Sequence, residues 1–519
     1  MINMIKADVI LDNARILTLN PESPLAKSIA IGGGRILALS QSNSLRSYRG
    51  AHTQIVDCHG YTITPGFNDA HCHPVGFVES LVTEDVGRLA VSSISDIKAK
   101  IKKVATSLPE GNWIRARGYE VFYLAEKRSP TRWDLDEATS NHPVKLTHRT
   151  GHAHVLNSAA MALAGIYNDT PEPPGTMIER DIETGEPNGV VYGMASYLSK
   201  VIPELDRNEL DRGIQLASDR FVSMGITSVQ DASVRNNIKR WHMYQEWKKQ
   251  GYFKPRVSMM MGMENFEQFC DEGFTPRMGD DWLRLGGVKI ILRETTGELY
   301  PDQEELNRMV SRIHKAGHQA VLHVVEESML KAACLAFDYT LNTNFDEGHR
   351  HRLEHCSVCS PAMVEHLASL KAVIVTQPAF IYYNGERYLS MVDEYQLKHL
   401  YPVGRLIRAG LKLAAGSDCP VVPPSPIIGI YAAVSRLSEG GVQILADEYI
   451  SPVEALRMHT LDAAYACFEE DVKGSLAPGK LADLVVLSDD PTCISPDEIK
   501  DLEVKLTVIG GEIVWRRGL

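Results

Sequence analysis

Short apolar runs recur through the middle of the chain, at residues 66–71, 226–231, 256–261, 287–292, 320–324, 350–355, 372–377 and 412–418. Stretches with helical apolar spacing fill the intervals, for example residues 303–316 and 360–370. Eight β-like runs alternating with helices predict an α/β fold, a closed (β/α)8 TIM-like barrel rather than a sandwich.

The ends have a different texture. ADVILDNARILTL, SIAIGGGRILALS and TQIVDCHGYTITPG are β-like runs, and the Gly32-Gly33-Gly34 cluster between two of them reads as a hairpin turn. A phosphate-cradling loop would need G-x-G-x-x-G followed by a helix, and GGGR has neither. The same texture returns near the C-terminus in GKLADLVVLSDD and VKLTVIGGEIVWRRG. These ends predict one small β-sandwich domain built from residues 1–65 and 470–519, with the barrel over 66–469.

One interval breaks the rhythm. Residues 75–205, after the first barrel strand, are too many for a crossover helix, so an insertion is expected there. It holds a strand-like run at 144–148 and the Pro/Gly-rich TPEPPGTM. An insertion leaving a barrel strand at that end suits a lid or specificity element.

Composition narrows the partners. A hydrophobic fraction of 44% and a charged fraction of 23% are those of a soluble globular chain. No apolar run approaches the roughly 18 residues of a membrane span. Lys6, Asp8, Asp12 and Arg15 interrupt MINMIKADVILDNARIL, against a secretory signal. A net charge of −12 without a long basic run disfavours nucleic acid and anionic membrane surfaces. The nine cysteines read as reduced thiols, so a cytoplasmic protein acting on a small molecule is expected, with a homo-oligomer left open. Cys356 and Cys359 form a C-x-x-C pair with no second pair at zinc-finger spacing, and Cys72 is expected to pack in the core.

The stretch GFNDAHCHP brings His71 and His73 two positions apart. With 18 histidines, chance alone gives roughly 0.6 H-x-H pairs. Three occur, His71/His73, His152/His154 and His349/His351, so the spacing alone decides nothing. Catalytic groups of such a barrel sit at the C-terminal ends of its strands, which is a stricter test. The first strand ends in His71-Cys72-His73, the fourth carries Lys289 in GGVKIIL, and the fifth carries His323 in AVLHVV. The sixth ends in His355 of RLEHC and the eighth in Asp418 of LAAGSDCP. Residues two apart on a strand share a face, so His71 and His73 can both turn toward one ion. His349 and His351 lie nearer the start of the sixth strand and suit surface or packing roles.

In order along nearly the whole chain, TPGFNDAHCHP, LPEGNWIRARGYE, GHAHVLNSAAM, GITSVQDA, HRLEHCS, GSDCPV and GSLAPGKLADLVVL resemble the amidohydrolase superfamily. More narrowly, they resemble its amidohydrolase family 3 branch, which includes N-substituted formamide deformylase-like proteins. The resemblance implies a metal-bearing barrel joined to a small β domain. It implies one or two divalent ions, with zinc suited to imidazole ligands. His71 and His73 would bind the more buried ion, and His323 and His355 the second. Carboxylation of Lys289 would make a bridging carbamate, which requires the neutral amine. The common family pattern places Asp-Gly after that lysine, whereas KIILRETTGELY stands here. The bridge and the number of metals therefore stay open, with Glu294 a nearby carboxylate of opposite strand parity.

Asp418 would join the ligands and handle the proton. A metal can lower the pKa of its water to about 7, and Asp418 would pass the proton from that water to the leaving nitrogen. His152, from the Gly-His of GHAH, and Gln377, at the end of the seventh strand, are the candidate substrate contacts, while His154 could equally pack. The expected chemistry is hydrolysis of an amide C–N bond, with N-formyl and N-acyl compounds the nearest precedent. A deaminase or cyclic-amide hydrolase would use the same ligands. A non-catalytic barrel scaffold is the alternative of another class, disfavoured because every candidate position holds a usable side chain.

Overall fold

A computed structural model of the chain describes residues 5–42 and 45–519. Its central sheet has eight strands, β1 (Phe67–Cys72), β2 (Ile226–Asp231), β3 (Arg256–Gly262), β4 (Leu283–Ile291), β5 (Ala320–Val324), β6 (Arg352–His355), β7 (Val373–Thr376) and β8 (Lys412–Ala415). Each pairs in parallel with the next in chain order. This is a nearly closed parallel barrel. β7 (VIVT) is wholly β-branched and mostly apolar, as suits a strand covered on both faces. Helices separate the strands, and Leu306, Val310 and Ile313 bury one face of Gln303–Lys315 at i, i+4, i+7 spacing.

The seam between β8 and β1 closes through the residues that follow each strand. Asp418 donates its N–H to the His71 carbonyl at 2.7 Å, and His73 donates to the Cys419 carbonyl at 2.8 Å. Gly416 is required here, since a Cβ on it would lie 2.4 Å from His71 N. Asp69 of β1 accepts from both the N–H and the hydroxyl of Ser417. Asp418 therefore stands three positions beyond β8, in the locking loop rather than on the strand as the sequence pattern suggested.

Two further sheets draw on the chain ends. One has the order Arg35–Ser40, Ser28–Gly32, Val9–Asp12, Gln54–Asp57. The other runs Glu512–Arg516, Val504–Ile509, Leu484–Leu487, Thr62–Pro65, Arg15–Leu17, Leu25–Ala26. A common apolar core joins them, with Leu11, Ile29 and Val56 from the first and Ile16, Ile63, Val486 and Leu506 from the second. The turn at Gly33 and Gly34 has φ of 59° and 76°, the left-handed geometry of a two-residue hairpin. These sheets cluster with the barrel in one compact unit comprising residues through His73, Ala217–Ile291 and Leu306–Leu519. One reason is covalent, since Thr62–Pro65 runs into β1 after Gly66 alone. Another is the buried pair in which Arg256 of β3 bonds Asp483 at 2.6 and 2.9 Å.

The second unit is Pro74–Leu216 together with Leu292–Glu305. Its sheet has the order Met177–Arg180, Pro187–Tyr192, Ala153–Leu156, Val144–His148, Ile114–Tyr119, Glu84–Asp85. Helices Ile94–Ala105 and Arg132–Ala138 contribute Ile97, Ile101 and Leu135 to its core. Leu292–Glu305 follows β4 and belongs here because the Tyr300 ring packs against Gly175, where a Cβ would sit 2.9 Å from the ring. Among the described residues no helix is long and apolar enough to cross a membrane.

Asp483 also accepts from the Gly510 N–H at 2.8 Å, so one carboxylate holds a barrel strand and the C-terminal hairpin. Removing one partner of a buried pair leaves an uncompensated charge. Asp483→Ala is expected to lower stability by about 3–5 kcal/mol in urea unfolding, well beyond a surface substitution.

Candidate metal centre

β1, β5, β6 and the loop after β8 bring His71, His73, His323, His355 and Asp418 to one end of the barrel. One ligand atom from each of His71, His355 and Asp418 lies within 4.8 Å of the others. Asp418 Oδ1 is 3.4 Å from His71 Nε2 and 3.0 Å from His73 Nε2. His355 Nε2 is 3.0 Å from His323 Nδ1. Donors sharing a tetrahedral ion at about 2.0–2.1 Å stand about 3.3 Å apart, so these spacings suit a divalent metal.

The far sides of the rings are occupied. His71 Nδ1 meets Glu354 Oε2, His73 Nδ1 meets Ser233 Oγ at 3.0 Å, and His355 Nδ1 meets Gln377 Oε1 at 2.7 Å. Each partner comes from a different element: Glu354 from β6, Ser233 from just after β2, and Gln377 from just after β7. With Nδ1 committed, each of the three rings presents Nε2 to the common point. His355 and Asp418 have φ of 72° and 55°, unusual for non-glycine residues and concentrated at functional sites.

Electrostatics follow from burial and pairing. Burial pulls the His355 imidazole down to about 3, so it is neutral. Burial and Lys289 also press His71 downward, but Glu354 and Asp418 outweigh them and its pKa is raised. Burial would raise Asp418, yet the bonds from His71 and His73 prevail and hold it well below the usual carboxylate range. His71, His355 and Asp418 are buried, while His73 and His323 are half-buried.

Lys289 on β4 is 2% exposed, which rules out a side chain reaching solvent. Its Nζ has no hydrogen-bond partner, and burial lowers its pKa to about 8. Its charged neighbours are Glu354, Arg352 and Asp418. Glu294 lies in the second unit. Gln377 is fully buried and engages His355, so its contact is a histidine. His152 lies in the second unit, exposed, just before the strand Ala153–Leu156, and His154 on that strand is buried.

His349 and His351 have structural partners. His351 Nδ1 accepts the Ala320 N–H at 3.0 Å, which leaves its Nε2–H to bond His314 Nδ1 at 2.9 Å. His349 Nδ1 accepts the His351 N–H, and its Nε2 bonds the Leu370 carbonyl. Both ring nitrogens of each are thus committed to the fold, at the opposite end of the strands from His355.

Glu354, Arg352 and Ser233 were not singled out in the sequence. Arg352 and Glu354 alternate with Leu353 and His355 in RLEH, and that alternation was the available signal. Arg352 Nη2 bonds Glu354 Oε2 at 3.0 Å and the Ala70 carbonyl at 2.7 Å, while Nη1 bonds Gln230 Oε1 at 2.6 Å.

A nearly closed parallel barrel with histidines and a carboxylate converging at the C-terminal ends of its strands has a donor set that could hold a metal ion. The family model described as "Amidohydrolase family" matches residues 54–515, and the chain belongs to that family and is a hydrolase. It is 26% identical over 539 aligned positions to an N-substituted formamide deformylase of Arthrobacter pascens, covering 98% of each chain. An uncharacterized metal-dependent hydrolase of Pyrococcus horikoshii superposes with a TM-score of 0.74 at 23% identity, over 94% of this chain and 99% of that one. An adenosine deaminase of Xanthomonas campestris with bound zinc superposes with a TM-score of 0.55 at 13% identity, over 99% of this chain and 94% of that one.

Proposed function

We propose that the chain hydrolyses the C–N bond of an amide, N-formyl or N-acyl, using zinc held by His71, His73, His323, His355 and Asp418. The observation that carries this reading is the convergence of imidazole nitrogens on Asp418 while the opposite ring nitrogens of three rings are held by other side chains. The Arthrobacter pascens relative supports the substrate class, and the zinc in the Xanthomonas campestris structure supports the metal. When bound, the cation polarises a carbonyl and acidifies water at neutral pH. Asp418 takes the proton from the attacking water and delivers it to the leaving nitrogen. Its pKa is held well below the usual carboxylate range, so it is present as the ionised carboxylate that can accept a proton. Burial of His71, His355 and Asp418 lowers the local dielectric and strengthens these interactions.

Lys289, once carboxylated, would add oxygen donors to the histidines and carboxylate that would hold the cation. A buried amine with no acceptor and a pKa near 8 has a usable neutral fraction, and only the neutral amine attacks carbon dioxide. The terminal sheets act as a small sandwich bracing the barrel.

A panel of N-formyl, N-acetyl, cyclic amide and aminopurine substrates tests the class with zinc-loaded protein. Turnover of an N-formyl or N-acyl amide is expected, and Asp418→Asn should lower it by at least 100-fold. Turnover of the aminopurine alone would replace the reading with deamination. For Lys289 the neutral fraction rises as pH climbs through about 8. Activation of metal-stripped protein by zinc plus bicarbonate should therefore be faster at pH 9 than at pH 7, with no such gain for Lys289→Arg.

A further inference from the structure

Of the three imidazoles of the centre whose Nδ1 is held by a side chain, His71, His73 and His355, only His71 is held by a charged group. Glu354 is 0% exposed and His71 1% exposed, so no water competes for the contact. An ionised carboxylate offers acceptors only, which obliges His71 to carry its proton on Nδ1. Arg352 fixes that carboxylate from the other side through Nε and Nη2. The guanidinium is itself pinned to the β1 carbonyl of Ala70, the residue preceding His71, and to Gln230 of β2. The group that orients His71 is therefore referenced to the strand that carries His71.

We propose that Glu354, set by Arg352, is a positioning residue that holds His71 in the tautomer and orientation presenting Nε2 to the cation. The inference rests on the metal reading above. β6 then supplies two parts of the centre: His355 as a ligand, and Glu354 as the group that aims a ligand on β1. An amide cannot replace the carboxylate while Arg352 is present. A glutamine turns its NH2 either toward the guanidinium, donor against donor, or toward His71 Nδ1, which moves the proton to Nε2 and blocks ligation. Removing the guanidinium lifts this conflict and frees the amide oxygen to accept from His71.

The test uses the full chain and zinc affinity by chelator competition, with the visible spectrum of the cobalt-substituted protein as a second readout. R352M/E354Q and R352M/E354L both remove the buried ion pair whole, which is far gentler on folding than leaving one charge behind. They differ in whether an acceptor faces His71. R352M/E354Q is expected to bind zinc 10–100-fold more tightly than R352M/E354L, and more tightly than E354Q, which keeps the conflicting guanidinium. The cobalt spectrum of R352M/E354Q should match that of the unaltered chain. Equal zinc affinities in the two double variants would overturn the positioning role. Failure of the unaltered chain to bind zinc would instead overturn the metal reading, so the two failures are distinguishable.

Discussion

The site depends on the closure of the barrel between its first and last strands. His71 and Asp418 are far apart in sequence, yet the Asp418 N–H bonds the His71 carbonyl and the His73 N–H bonds the Cys419 carbonyl. These two backbone bonds, with Asp69 gripping Ser417, fix a carboxylate beside two imidazoles. Closure also explains Gly416, whose missing side chain lets the last strand's exit approach β1. His355 at the end of β6 and Asp418 in the loop after β8 both have positive φ, a cost the surrounding bonds sustain.

A further layer of order comes from the groups behind the histidines. Glu354, Ser233 and Gln377 occupy Nδ1 on three rings and leave Nε2 facing inward. The three holders differ in kind: a carboxylate, a hydroxyl and an amide. The ligands are thereby not equivalent, with His71 backed by charge and His355 kept neutral by burial. Lys289 shares this environment and is perturbed by it, as buried groups at functional sites commonly are.

Much of this was legible in the sequence because strand ends and chemistry coincide in a parallel barrel. The β2 and β5 runs matched the observed bounds, and His71, His323 and His355 stand in the C-terminal parts of β1, β5 and β6. What could not be read depends on partners far along the chain. Nothing near Ser233 or Gln377 announces that they bond His73 and His355, because both ties are tertiary. Glu354 was passed over because its neighbour His355 drew the attention of the motif. Leu292–Glu305 lies within the barrel stretch of the sequence, and packing, through Tyr300 on Gly175, places it in the second unit. The H-x-H spacing was a poor guide by itself, since His349 and His351 spend their nitrogens on backbone groups and His314.

Anomalous diffraction from crystals of the zinc-loaded protein tests the central claim most directly. The account predicts a zinc peak about 2.0–2.2 Å from His71 Nε2, His73 Nε2 and an Asp418 oxygen. Zinc bound instead at the Cys356–Cys359 pair or at His349 and His351, with nothing between His71 and Asp418, would contradict it.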